Sequence, residues 1–254
     1  MNTAIPQITT PVSAQVDPMP ARNWRPVPWS PKDIVRGSLA ALALLAAGVL
    51  IVVVVAVVAG FAGLDPTDAA FLQFTVFAVM ALESVFVLPA WWWGPRKHAL
   101  ELSWLGLRST KLSRAAMLTI VAFAVIMGVN LLWAMVSEWL DLPGQPDLVP
   151  LFGEGPLGLA GAIVVACVIA PLAEEVFFRG FMFAGMRDRW GLAAGVIVSA
   201  VIFALFHMSL STLIPIAAMG AVFALLYERA DSLWPCIALH AAVNLLGVLG
   251  AYLA

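Results

Sequence analysis

Long apolar runs broken by short polar turns set the pattern of this chain. The runs extend from about Gly37 to Gly63, Ala69 to Trp93, Ala115 to Val136, Pro156 to the Arg187-Asp188-Arg189 turn, Gly191 to His207, Leu213 to Tyr227 and Leu233 to Leu253. Most of them reach the ~20 apolar residues that an α-helix needs to cross the hydrocarbon of a bilayer. The pattern predicts seven spanning helices, the fifth of them short. Pro156 suits the first turn of the fourth.

The polar separators alternate in sign. Arg22, Arg25, Lys32 and Arg36 precede or open the first run, Arg96 and Lys97 follow the Trp91-Trp92-Trp93 belt, and Arg187 and Arg189 close the fourth run. The opposite turns are acidic: Asp65 and Asp68 in one, Glu138, Asp141, Asp147 and Glu154 in the other. Basic flanks stay in the cytoplasm, which predicts a cytoplasmic amino terminus and a carboxy terminus on the opposite side. The mixed stretch from His98 to Arg114 is too short and too charged to cross, and is expected as a helix or loop lying in the interface. Residues 1–30 are polar and rich in proline and lack the apolar core of a signal peptide. They read as a disordered cytoplasmic tail, with residues 31–254 as a membrane domain.

Composition agrees with this pattern. The 254 residues are 63% hydrophobic and 11% charged, with a mean hydropathy of +0.99, whereas roughly a quarter of a soluble domain is charged. A soluble globular class is excluded, and the fold class is an all-α polytopic membrane bundle with one interfacial segment. The net charge of -2 gives no basis for a nucleic-acid partner. Cys167 and Cys236 lie in apolar segments, where a thiol acts as a small hydrophobe, so no disulfide is predicted.

One run departs from the pattern. Pro171-Leu-Ala-Glu174-Glu175-Val-Phe-Phe-Arg179-Gly180 carries three charges within a spanning segment. Such a charge costs roughly 2.5–3.5 kcal/mol at the bilayer centre and needs an interior partner. Glu175 and Arg179 share a helical face at i,i+4, while Glu174 is turned about 100° away, so Glu174 is the carboxylate left without the arginine. Phe203 and His207 form a second i,i+4 pair, and His240 and Asn244 a third. At 1.5 Å per residue, Glu174 lies about 21 Å from Asp188 and His207 about 24 Å from Gly191, so the two can meet across an antiparallel hairpin. His240 lies only about 13 Å beyond Asp231, which requires a recessed turn or tilted helices if all three are to converge. Glu83 and Asn130 stand outside these pairs; Glu83 is expected to pair with a polar group in the bundle, with lining of a substrate route as the alternative. His98 reads as a solvated loop residue.

In this order on successive apolar runs, Glu174-Glu175-x-x-x-Arg179, Phe203-x-x-x-His207 and His240-x-x-x-Asn244 resemble the motifs of the CPBP intramembrane proteases, the family of CAAX prenyl endopeptidases and bacterial Abi proteins. The resemblance covers about Pro156 to Ala254, with a weaker echo at Leu105-Gly-Leu-Arg108. It implies hydrolysis of a peptide bond in a lipid-anchored or membrane-embedded substrate, with the bilayer and that peptide or lipidated protein as partners. Amide hydrolysis needs an activated water, a stabilised oxyanion and a proton for the leaving amine. Glu174 is then the general base, His207 the second group on the water, His240 and Asn244 the oxyanion donors, and Glu175 with Arg179 the brace, supported by Phe203. Glu174, His207 and His240 would also make a ligand set for zinc, but there is no His-Glu-x-x-His helix, and a metal-free glutamate mechanism with no cofactor is favoured. Two other readings have different chemistry: a non-catalytic immunity or scaffold protein, which has no need of Glu174, and a proton-coupled transporter, for which the chain lacks an inverted repeat.

Overall fold

The computed structural model describes residues 26–65, 68–142 and 149–253. Every regular element among them is helical. Six helices are long and apolar enough to cross a membrane: Pro31–Phe61, Ala70–His98, Leu112–Trp139, Gly155–Trp190, Leu213–Ala230 and Trp234–Leu253. Leu192–Phe206 is a shorter apolar helix between the fourth and fifth of these. All seven apolar runs thus appear as helices in a multi-pass integral membrane bundle.

The first span, α1 (Pro31–Phe61), starts where its sequence says it should. Ser30 Oγ accepts from Asp33 N at 3.3 Å, Asp33 Oδ2 accepts from Ser30 N at 2.9 Å, and Pro31 occupies the first turn. Lys97 Nζ reaches Asp33 Oδ1 at 2.5 Å and ties this end to the end of the second span. Farther along, Val49, Leu50, Ile51, Val53, Val54 and Val58 face outward, as a lipid-facing helix requires.

Two spans are not regular α-helices. The second consists of α2 (Ala69–Ala81), a 3₁₀ turn at Leu82–Phe86 and α3 (Val87–Trp93). The third is one helix, α4 (Leu112–Trp139). After the short α5 (Val149–Phe152), the fourth span runs through α6 (Gly155–Ala162), a π-helical stretch at Ile163–Ile169, α7 (Ala170–Glu174), a second π-helical stretch at Glu175–Phe183 and α8 (Ala184–Trp190). Then follow α9 (Leu192–Phe206), α10 (Leu213–Ala230) and α11 (Trp234–Leu253). All nine residues of the second π stretch are buried, which makes it the axis of the bundle. Phe177 and Phe178 pack there against Phe86, and Phe178 against Phe203 and Phe206. The 15-residue α9 is about 22 Å long, short of the ~30 Å hydrocarbon, so a start at one surface leaves His207 at its end within the membrane.

One sequence expectation is corrected and a second is refined. The disordered tail was expected through residue 30; residues 1–25 lie outside the described residues, but 26–30 are packed into the bundle. Trp29 is fully buried, its Nε1 donates to Phe181 O at 2.9 Å, and Val27 N donates to Asp188 Oδ2 at 2.7 Å. The stretch from His98 to Arg114, expected as a helix or loop in the interface, is a connector of short turns that leads into the third span at Leu112. Its first part is a chain of 3₁₀ turns, Arg96–His98 and Leu102–Leu105, and Leu105 is fully buried. Gly180 permits this docking, because a Cβ there would stand 2.3 Å from Leu105 O. His98 is half-buried near Asp33.

Backbone pairing explains why the connector packs inward. Leu233 N donates to Gly106 O at 2.8 Å, Ser232 Oγ to Arg108 O at 2.6 Å and Thr110 Oγ1 to Ala230 O at 2.9 Å. Arg108 donates to Asp231 O at 2.8 Å and Ser103 O at 3.0 Å and pairs with the Asp231 carboxylate. The turn between α10 and α11 is thereby covered, with Ser232 and Leu233 fully buried. The connector thus covers the turn that precedes the helix of His240. Replacing Arg108 with Ala removes these donors and is expected to lower stability by about 2 kcal/mol, read as a fall in the thermal midpoint of the detergent-solubilised protein.

Candidate active site

The site is built on the buried ion pair. Arg179 Nη1 donates to Glu175 Oε1 at 2.9 Å, and both side chains are almost fully buried. The guanidinium lies 4.0 Å from the centroid of Phe203 and 5.0 Å from that of Phe223, and Nη2 donates to Gly220 O at 3.3 Å. Gly220 allows α10 to approach this closely, since a Cβ would meet Phe203 at 3.1 Å and Ala200 Cα at 3.2 Å.

Glu175 also holds His240. The imidazole Nδ1 lies 2.9 Å from Glu175 Oε1 and the ring stacks on Phe223 at 5.0 Å. A carboxylate already paired with arginine only accepts, so Nδ1 is the donor and Nε2 is turned toward Glu174, 3.8 Å from its Oε2. Glu175 is therefore more than the expected brace for Arg179: it also fixes the ring that faces the second carboxylate.

His207 is placed by the same device. Its Nδ1 donates to Phe203 O at 2.9 Å, and its ring lies edge-on to Phe203 at 4.8 Å. A carbonyl only accepts, which leaves Nε2 as the free nitrogen of the ring. Phe203 is fully buried between His207, His240 and Arg179, which accounts for an aromatic one helical turn before the histidine.

Glu174, His207, His240 and Asn244 line one cavity of about 650 Å³. Asn244 is partly committed elsewhere: its Nδ2 donates at 2.7 Å to Ala166 O, in the first π stretch. A widened π turn exposes carbonyls that a regular helix would consume, and Asn244 takes one of them. One amide hydrogen remains for the cavity.

Sequence reasoning missed the partner of Glu174. Glu83, from the 3₁₀ turn of the second span, hydrogen-bonds Glu174 and lines the same cavity, with Asn130 of α4 also on the wall. The expectation that Glu83 pairs with a polar group in the bundle thus meets the very carboxylate singled out as unclaimed. A glutamate within an apolar run was the available signal. At the rim, Trp133 Nε1 donates to Ser211 O at 3.0 Å, linking α4 to the turn before α10.

Among the described residues no three His, Cys, Asp or Glu side chains are arranged to hold a metal ion. Glu174, His207 and His240 share a cavity without the convergence a zinc site needs, and Glu174 is engaged by Glu83.

A carboxylate, two oriented imidazoles and an amide around one cavity inside a membrane bundle define the class: a multi-pass membrane protein with a polar intramembrane site. Residues 156–246 match the family described as type II CAAX prenyl endopeptidase Rce1-like, and every motif residue named above lies within that stretch. This carboxy-terminal part of the chain is similar to the CAAX membrane-protease family. The "Putative membrane peptidase YdiL" of Bacillus subtilis is 33% identical over 82 residues, covering 32% of this chain and 34% of that protein. The "Uncharacterized 24.3 kDa protein" of Escherichia coli is 28% identical over 121 residues, covering 45% of this chain and 56% of that protein. The "UPF0177 protein YxdF" of Lactococcus lactis is 24% identical over 169 residues, 66% of this chain and 90% of that protein. The chain thus spans about a third and just over half of the first two relatives. No solved structure matches this chain.

Arg179→Ala would leave Glu175 buried without its cation. It is expected to cost about 3–5 kcal/mol, seen as a large fall in thermal midpoint and in yield of folded protein.

Proposed function

We propose that the protein is an intramembrane endopeptidase that hydrolyses a peptide bond in a lipid-anchored or membrane-embedded substrate, with Glu174 activating the water. The observation that carries this reading is the arrangement at Glu174: its side chain lines the cavity, and its Oε2 has no hydrogen-bond partner among the described residues and stands 3.8 Å from His240 Nε2.

Each group then has one task. Glu174 accepts a proton from the water as its oxygen attacks the substrate carbonyl carbon, and His207 Nε2 holds the water's second hydrogen. The carbonyl oxygen becomes an oxyanion, to which the remaining amide hydrogen of Asn244 donates and to which His240 donates from Nε2 as the imidazolium, its Nδ1 hydrogen being held by Glu175. Glu174 passes its proton to the amide nitrogen, the C–N bond breaks, and a carboxylic acid and an amine are released. The site sits where apolar helices exclude bulk water, so the oriented donors act in a low-dielectric setting that strengthens them. Members of this family act on prenylated membrane proteins, which supports a lipid-modified substrate for this chain. The alternating loop charges support a cytoplasmic amino terminus, with the carboxy terminus on the other side of the membrane.

Glu174→Gln and His207→Ala are each expected to lower cleavage about 10²–10⁴-fold while the protein still inserts and keeps its thermal midpoint. Comparing membrane peptides from cells carrying wild type or Glu174→Gln would show uncut lipid-anchored substrates accumulating in the variant. Cleavage at the wild-type rate by purified Glu174→Gln would remove the mechanism. In detergent, a chelator titration is expected to leave activity in place; loss of activity that zinc restores would overturn the metal-free chemistry.

A further inference from the structure

We propose that Glu83 is a positioning residue of this site: its carboxyl, set against that of Glu174 on the wall of the same cavity, holds that side chain so that Oε2 faces His240. The inference rests on reading Glu174 as the base.

The geometry separates this contact from ordinary ion pairing. Two carboxyl groups can hydrogen-bond only with a proton between them. Other buried carboxylates in the bundle have cations: Glu175 has Arg179, Asp33 has Lys97, and Glu228 has Arg187. Arg179, the cation nearest Glu174 in sequence, is taken by Glu175. The Glu83–Glu174 contact is therefore an acid on a carboxylate, placed within the bundle.

The backbone is shaped to deliver it. Glu83 is the second residue of the 3₁₀ turn Leu82–Phe86, which packs directly on α7. Tightening from 3.6 to about 3.0 residues per turn rotates this position relative to the face presented by α2. The groups around the pair are Glu175 and Arg179 from the same span as Glu174, His207 from the end of α9 and His240 from α11. Oε2 of Glu83 and Oε2 of Glu174 are both buried without a hydrogen-bond partner among the described residues. For Glu174 to accept a proton from water, the shared proton must reside on Glu83 in the reacting state.

Steady-state cleavage of an internally quenched farnesylated peptide, in detergent, tests the role. Glu83→Ala is expected to lower kcat about 10- to 100-fold with KM changed less than about twofold, because the base loses its orientation while substrate contacts persist. Glu83→Gln is expected to recover most of that loss, since its amide still donates to the carboxylate. Wild-type kcat in Glu83→Ala, alongside an inactive Glu174→Gln, overturns the role of Glu83 and leaves the base reading intact. An active Glu174→Gln overturns the base reading instead. Equal loss of activity and thermal midpoint in Glu83→Ala and Glu83→Gln would mark Glu83 as structural and overturn the proposal. An infrared measurement on the reconstituted protein needs no substrate: the carboxylic-acid carbonyl band should be displaced by Glu83→Gln and by Glu174→Gln alike. A band that responds to only one of the two overturns the shared proton.

Discussion

The structure depends on a cation buried in an apolar bundle. Arg179 has no access to water, so its charge is satisfied from within, by Glu175, by the carbonyl of Gly220 and by the faces of Phe203 and Phe223. These partners come from the fourth span, from α9 and from α10, so one guanidinium links three helical segments. The same carboxylate that neutralises it orients His240 from a further helix. Because Glu175 is consumed in this way, its neighbour Glu174 is left free for the cavity.

A bilayer cannot hydrogen-bond a loose carbonyl, so irregular backbone is tolerated there only where protein groups attend to it. The site shows this repeatedly. Asn244 donates to Ala166 O in a π stretch, Arg179 to Gly220 O, His207 to Phe203 O and Trp133 to Ser211 O. The polar side chains around the cavity thus serve the backbone as well as each other, and the 3₁₀ and π segments are concentrated in the two spans that carry Glu83, Glu174 and Glu175. Departures from regular helix are what bring these acids to one place.

Away from the site, polar contacts gather at the ends of the spans. Trp29 and Val27 anchor the chain before α1 to Phe181 O and Asp188, while Arg108, Thr110 and Ser232 bind the connector to the turn between α10 and α11. Both sets of ties hold the fourth span and the last hairpin in register. His240, on the helix that follows that turn, stands 3.8 Å from Glu174.

The apolar runs, their lengths and the three i,i+4 pairs could be read directly, because helical periodicity and bilayer thickness are local constraints on local sequence. The separation of Glu175, taken by Arg179, from Glu174 was legible for the same reason. What the sequence left open involves contacts between segments far apart in the chain. A uniform helix ruler does not anticipate the 3₁₀ turn that brings Glu83 to Glu174, the π turn whose carbonyl occupies Asn244, or the inward docking of the connector at Gly180. In this protein the sequence by itself determined which segments lie in the membrane and which charges must be paired within them. Only the tertiary structure decided which carboxyl meets which, because that choice depends on small local changes in helical twist summed across neighbouring spans.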